Sequence, residues 1–372
     1  MTDPISKPNL TPLAQSLPAS VPFVGPEQQE RDRGAPFSAR LGANENLFGP
    51  SPKALDAMRA AAGDIWQYAD PSCHDLRQAV ATHHQVPPES VLIGEGIDGL
   101  LGNLVRLMVT DGDNVVTSNG AYPTFNYHVA GLGGTLHKVD YAEDHEDLRA
   151  LLSRARDVHA KLVYFANPDN PMGTWVSGTT IEAALDDIPD GCVLVLDEAY
   201  IEFAPEGTAP NIPVNDPRVI RMRTFSKAYG MAGARIGYAV GHPDLIASFD
   251  KIRNHFGVNR IAQAGALAAI SDTDWLSHIQ AEVTRSRSLL TEIAEEHGLT
   301  AIPSATNFVT IDCGKDGDFA RSLLSHLVAM GVFVRMPFVA PQDRCIRVGC
   351  GPKEAMDVFA NALGEALSKA RG

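Results

Sequence analysis

Residues 222–235 run Met-Arg-Thr-Phe-Ser-Lys-Ala-Tyr-Gly-Met-Ala-Gly-Ala-Arg, the densest gathering of small residues, hydroxyls and spaced cations in the chain. Thr224 and Ser226 precede Lys227, and Arg235 follows it by eight positions. Glycines at 230 and 233 let backbone pass close to another group. Residues 218–223 read as one strand and 236–240 as the next. Lys227 is therefore expected on a loop between strands, where α/β proteins carry much of their chemistry. An amine held close and unprotonated forms a Schiff base with a carbonyl. Hydroxyls beside a fixed arginine suit a phosphate. By residue type alone, a single lysine reads equally as a surface charge.

Upstream, strand and helix signals alternate from Ser90 onward. Strands are expected at 91–93, 114–117, 136–139, 162–166 and 193–196. Helices are expected at 100–108, after Pro123, at 147–154 and at 179–185. Val193-Leu194-Val195-Leu196 is a continuous apolar run, the mark of a parallel strand covered on both faces. The recurrence predicts an α/β fold, a large domain whose mostly parallel central sheet is flanked by helices. Before it, residues 1–40 read as an irregular arm with one short helix near 11–17. Ser51 caps a helix that opens on Pro52, and Ser72 caps another that ends at His83.

Downstream, helices are expected at 244–254 and 262–270. A long one at 274–296 shows an apolar face of Leu276, Ile279, Val283, Leu289, Leu290 and Ile293. Strands at 307–311, 332–335 and 345–348, with helices at 318–330 and 353–367, make a smaller α+β unit. The predicted division is an N-terminal arm with a small-domain segment at 1–45, a large domain at 46–280 and a small C-terminal domain at 281–372.

The chain has 372 residues, 44% hydrophobic and 20% charged, with a formal net charge of -14. That length supports a large core. The negative balance argues against non-specific nucleic-acid binding and against adsorption to anionic membranes, so neither is expected as a partner. No apolar run has the length of a membrane span. Five cysteines form no disulfide framework, and twelve histidines show no ligand spacing, so no metal site is expected. The start of the chain lacks a signal-peptide core, and a cytoplasmic setting is expected.

Further candidates follow the predicted strands. Asp197 ends the run 193–196, at the strand end where α/β sheets bind ligands. It must meet a cation or a donor there, though it reads equally as a cap or turn residue. Asn167-Pro168-Asp169-Asn170-Pro171-Met172-Gly173-Thr174 is a turn signal after strand 162–166. Gly94-Glu95-Gly96-Ile97-Asp98-Gly99 is a glycine-rich turn that would serve either as a phosphate cradle or as an ordinary tight turn. Arg347 inside an apolar strand needs an anionic partner.

The segment Thr224-Phe225-Ser226-Lys227-Ala228-Tyr229-Gly230-Met231-Ala232-Gly233-Ala234-Arg235-Ile236-Gly237 resembles the lysine region of the fold-type I, pyridoxal-phosphate-dependent aminotransferases of class I/II. Ala43-Asn44-Glu45-Asn46-Leu47-Phe48-Gly49-Pro50 is similar to the N-terminal pattern of the histidinol-phosphate aminotransferase-like branch. The resemblance covers nearly the whole chain. It implies pyridoxal 5'-phosphate as cofactor and Lys227 as the lysine that binds it covalently. Asp197 would meet the ring nitrogen, while Tyr200 and Asn170 would meet the ring oxygen and Tyr122 would stack on the ring. Gly96, Ile97, Asp98, Thr224, Ser226 and Arg235 would hold the phosphate. Tyr68 would reach the phosphate of a partner subunit, which implies a homodimer with shared sites. Asn44, Asn46, Arg335 and Arg347 would contact the substrate.

The implied reaction is transfer of an amino group to a 2-oxo acid, 2-oxoglutarate, with histidinol phosphate as the leading donor. An aromatic or other amino acid is the alternative donor, and decarboxylation or racemisation on the same cofactor is a third reading. A ligand-binding protein without catalysis would have no use for a full set of such residues. Ile97 and Gly99 replace the serine and glutamate usual in the family, and Met172 replaces a threonine. These departures leave the donor open.

Overall fold

The computed structural model describes residues 8–19 and 24–372. Part of the expectation for the N-terminal arm therefore lies outside the described residues. The strands are β1 (Ala39–Arg40), β2 (Val91–Gly94), β3 (Asn114–Ser118), β4 (Thr135–Val139), β5 (Leu162–Ala166), β6 (Val193–Asp197), β7 (Val219–Thr224), β8 (Gly237–Gly241), β9 (Thr300–Ala301), β10 (Phe308–Asp312), β11 (Val332–Phe333) and β12 (Cys345–Gly349).

β2 to β8 make a seven-stranded sheet in the order β2-β8-β7-β6-β5-β3-β4. β3 to β7 pair in parallel, and β8 runs against both of its neighbours, β7 and β2. The strand β5 and residues 193–196 of β6 are buried at every position because both faces of the sheet are covered. On β5, Leu162, Tyr164 and Ala166 pack into one cluster with Leu100, Leu104 and Phe125. Val163 and Phe165 pack on the other face with Leu151, Leu152 and Ile181. Removing a fully buried aromatic such as Phe165 costs about 3–5 kcal/mol.

The remaining strands belong to a smaller unit. β10 lies between β12 and β9, antiparallel to both. β1 pairs in parallel with β11, so the chain's early residues are tied to its late ones. Ala39 and Leu41 share a buried cluster with Val309, Phe359 and Leu363. The helix Thr273–Glu296 continues unbroken for 24 residues and turns Ile279, Val283, Leu290 and Ile293 into that cluster.

Several local expectations need correction. The charged patch after Gly25 is helical, at Pro26–Arg33, rather than irregular. Its signals are terminal: proline in the first turn, and Gly34 in the left-handed region after the last. The helix after residue 70 is His74–His84, and Asp70 rather than Ser72 closes its start, accepting from His74 N at 2.8 Å. The glycine-rich residues after β2 are the first turn of the helix Gly96–Met108. The helix near 244 stops at Ser248 and tightens into a single turn at Phe249–Lys251. β11 ends at Phe333, and Arg335 forms an isolated bridge with Arg347.

Candidate active site

The carboxyl ends of β3, β5, β6 and β7 open on one cavity of about 680 Å³. Side chains from both units line it, including Asp197, Lys227 and Arg347.

β6 delivers Asp197 at its last position, buried. Tyr164 donates its hydroxyl to Oδ2 at 2.6 Å, and the Ala199 N–H donates to Oδ1 at 2.9 Å. Burial outweighs these two donors and pushes the carboxyl up to about 6. The next residue, Glu198, faces other partners. It accepts from Arg221 and Arg223, whose charges hold it below the usual range despite its burial. Neighbouring acids on one chain thus have opposite characters, because one meets cations and the other does not.

Lys227 sits between β7 and β8, and its amine donates to the Asn44 carbonyl at 3.1 Å. The amine lies 5.5 Å from the centre of the Tyr200 ring. The Tyr200 hydroxyl accepts from the Asn44 amide at 3.0 Å. Asn44 is buried, and among the described residues its side-chain oxygen has no hydrogen-bond partner. Asn44 therefore meets Tyr200 and Lys227, which lie 156 and 183 positions away in sequence.

A hydroxyl cup closes the lower end. Thr224 Oγ1 donates to Ser226 Oγ at 2.9 Å, and Arg235 Nη1 donates to the same Ser226 oxygen at 3.3 Å. The helix Gly96–Met108 points its first turn at the cup, with Ile97 and Asp98 at the cavity wall. Asp98 accepts from the Tyr122 hydroxyl at 3.0 Å and lies 3.7 Å from Arg235. Gly96 has φ +74°, and a Cβ there would lie 2.5 Å from Arg235 Nη2. Only glycine lets the guanidinium lie across this helix start.

The turn after β5 carries Asn170, whose side-chain oxygen accepts from Arg347 Nη1. Arg347 Nη2 also donates to the Gly42 carbonyl at 3.2 Å, and its Nε is buried without a partner among the described residues. Burial lowers the guanidinium to about 10. Arg335 lines the same cavity and donates to the Val24 carbonyl at 2.7 Å.

Most of the expected residues thus converge: Asn44, Ile97, Asp98, Tyr122, Asn170, Asp197, Tyr200, Thr224, Ser226, Lys227, Arg235, Arg335 and Arg347 all face the cavity. Gly96 lies behind it as the support for Arg235. Asn46 does not face it. Its amide donates to the Ala228 carbonyl at 3.1 Å and its oxygen accepts from Phe48 N at 3.0 Å, which fastens the loop behind Lys227. Tyr68 is far out on the surface, 81% exposed, with its ring 4.8 Å from that of Phe256. Sequence reading overlooked Tyr164, the donor to Asp197, although a hydroxyl in an otherwise apolar strand is a signal. It also overlooked Asn307, which donates to the Asn44 and Glu45 carbonyls at 3.3 and 3.1 Å. Among the described residues, no group of His, Cys, Asp and Glu comes together as metal ligands, and no helix is long and apolar enough to cross a membrane.

A cavity where a seven-stranded sheet brings a lysine and a buried acid, at its strands' carboxyl ends, against an arginine pair from the smaller unit has relatives. The family model for aminotransferase class I and II matches residues 39–363, and the chain belongs to that family. It is 36% identical to a histidinol-phosphate aminotransferase from Anaeromyxobacter sp., over 97% of this chain and 99% of that protein. It is 32% identical to one from Moorella thermoacetica, over 95% and 92%. A crystal structure of histidinol-phosphate aminotransferase from Sinorhizobium meliloti, in complex with pyridoxal-5'-phosphate, superposes with a TM-score of 0.95 at 52% identity, covering 98% of this chain and 99% of that one.

Proposed function

We propose that this chain is a pyridoxal 5'-phosphate-dependent aminotransferase that takes the amino group of histidinol phosphate and passes it to 2-oxoglutarate. The observation that carries this reading is the convergence of Lys227, Asp197 and Arg347 on one cavity at the carboxyl ends of the sheet strands.

The residues fit that cofactor. Asp197 is a buried acid without a cation, which a protonated ring nitrogen would supply. The Thr224–Ser226–Arg235 cup and the first turn of Gly96–Met108 offer hydroxyls, a guanidinium and free backbone N–H groups for the phosphate. Tyr200 and Asn170 stand where a ring oxygen needs donors, and Tyr122 can cover the ring face. When bound, pyridoxal phosphate supplies the electron sink that stabilises negative charge at the substrate's Cα.

The protein's own groups do the rest. Lys227 Nζ binds the cofactor covalently and, once released, moves a proton at the substrate's Cα. Asp197 keeps the ring nitrogen protonated. Arg347 and Arg335 bind and orient an anionic end of the substrate. Tyr127 and Phe338, exposed at the cavity, suit a flat ring, so an aromatic amino acid is the second reading for the donor.

We place the enzyme in the cytoplasm, a reading supported by five free, buried cysteines. The reading also includes a homodimer in which Tyr68 completes the partner's phosphate site. It is supported by an exposed apolar patch of Ile65, Trp66, Tyr68 and Phe256. The reading further divides the chain into an N-terminal arm with a small-domain segment at 1–45, a large domain at 46–280 and a small C-terminal domain at 281–372, and the β1–β11 pairing supports joining the segment around Ala39 to the last of these.

The test is a half-reaction screen. Holoenzyme is mixed with single amino donors, without acceptor, and the visible cofactor absorbance is followed. Fast, saturable loss with histidinol phosphate and little with phenylalanine or tyrosine is the expected result. Conversion by aromatic amino acids alone would move the enzyme to the second reading. Consumption of many equivalents of donor per site with no 2-oxo acid present would replace transamination by decarboxylation or racemisation.

A further inference from the structure

Behind the turn that carries Asn170 lies a second acid site. Glu146 and Asp169 are both buried, with their carboxyl groups within hydrogen-bonding reach of each other. Glu146 Oε2 accepts from the Ser118 hydroxyl at 2.7 Å, and Oε1 accepts from Ala166 N at 3.4 Å. Asp169 Oδ1 accepts from the Tyr141 hydroxyl at 2.9 Å, and Oδ2 accepts from Met172 N at 3.0 Å. The Asp169 backbone closes the turn, donating to the Thr174 carbonyl at 2.9 Å and accepting from Gly173 N at 3.1 Å. The next residue is Asn170, the acceptor for Arg347.

A bond between two carboxyl groups needs a proton on one of them, since an ionised carboxylate only accepts. Two buried carboxylates side by side cannot both ionise without strong repulsion. The groups that face the pair sort the proton. Tyr141 donates to Asp169 alone, and the Arg347 charge favours the ionised form of Asp169. Glu146 faces Asp169 and the neutral Ser118 hydroxyl, with no cation on it.

We propose that Glu146 and Asp169 share one proton, held on Glu146, and that this pair is the positioning element that sets Asn170 against Arg347. Glu146, anchored to the end of β3 through Ser118, donates to Asp169. Asp169 accepts from Glu146, Tyr141 and Met172 and so fixes the turn 169–174. Neither acid faces the cavity, so both act through Asn170 and Arg347. The kinetic consequence rests on the roles proposed for those two residues, whereas the shared proton does not.

Infrared difference spectra of wild-type and Glu146→Gln holoenzyme, at pH 8 and without substrate, test the proton directly. Wild type is expected to show a protonated-carboxyl stretch that the variant lacks. Absence of that band overturns the proposal, whatever reaction the enzyme performs. Kinetics supply the second arm. Glu146→Gln keeps a neutral donor beside Asp169, and its KM and kcat are expected within about twofold of wild type. Glu146→Leu removes the donor and is expected to raise donor KM about tenfold while kcat changes less than about threefold. Equal damage in both variants would overturn the positioning role. If Glu146→Leu does not fold, the infrared band and the Gln variant's kinetics decide.

Discussion

Arg335 and Arg347 lie directly opposite each other and exchange both backbone hydrogen bonds, Arg347 N to the Arg335 carbonyl at 2.6 Å and Arg335 N to the Arg347 carbonyl at 3.2 Å. Paired residues of an antiparallel bridge send their side chains to the same face. Two guanidinium groups are thereby set side by side in one cavity, with burial lowering both. Burying the Arg347 guanidinium is costly, and an anionic substrate offsets that cost. Arg347→Ala is expected to lower kcat/KM by roughly 10²–10³-fold, which is about 3–4 kcal/mol. Arg335→Ala, at the more open position, is expected to lose about tenfold. Arg347→Lys should recover little, because a point charge cannot serve Asn170, Gly42 and the substrate's anionic group together. Steady-state kinetics with anionic donors check this, and changes below twofold in both alanine variants would dismiss the pair as the anion site.

Lys227→Ala is expected to abolish the visible absorbance of bound cofactor and to lower turnover by at least roughly 10³-fold. Absorbance spectra after cofactor addition make the measurement. An unchanged spectrum would remove Lys227 from its proposed role.

The pH dependence of cofactor binding follows from Asp197. Burial has raised its carboxyl to about 6, above the unfolded value near 3.8. The cofactor-free fold therefore loses stability as pH rises from about 4 through 6, when a buried carboxylate forms without a cation. A protonated ring nitrogen reverses the sense by supplying that cation. Cofactor affinity is expected to fall about tenfold per pH unit as pH drops below 6. Asp197→Asn should bind the cofactor more weakly and lose this dependence. Fluorescence titration from pH 5 to 8 reads both, and a flat wild-type profile would contradict the assignment.

Gly96→Ala probes the cup. The left-handed backbone and the approach of Arg235 Nη2 at 2.5 Å leave no room for a methyl group. A loss of about 1–2 kcal/mol in stability is expected, with weaker cofactor binding through the displaced guanidinium. Thermal unfolding with and without cofactor separates the two effects. A neutral substitution would mean that Arg235 can leave the helix start freely.

The shared-site dimer is open to complementation. Lys227→Ala and Tyr68→Ala chains, each impaired alone, form mixed dimers in which one site keeps both residues. About a quarter of the wild-type activity is expected after random reassortment. No recovery in mixtures shown to exchange subunits would place Tyr68 outside the site.

Local pattern sufficed for the elements that answer to local physics. The apolar run 193–196 is a central strand because a parallel strand is covered on both faces, and that leaves its mark on each residue. Ser51 caps the helix Pro52–Ala61 through hydroxyl contacts to Lys53 N and Ala54 N, which depend on neighbours two and three positions on. The lysine segment was legible because small residues, hydroxyls and cations are crowded into it, and its resemblance to a family extended that reading to Asp197, Asn170 and Arg347.

Tertiary structure alone settled what neighbours in sequence cannot. Asp197 and Glu198 are adjacent acids, yet one is raised by burial and the other held low by Arg221 and Arg223, because successive residues at a strand end face different surroundings. Asn44 and Asn46 look alike in the N-terminal segment, but Asn44 bonds Tyr200 inside the cavity while Asn46 fastens the loop behind it. The Arg335–Arg347 bridge and the Glu146–Asp169 pair join residues from separate elements, and no periodicity along the chain encodes either contact. Propensity acts over a few residues. Charge, burial and hydrogen bonding act through space, and only the folded chain determines which groups share that space.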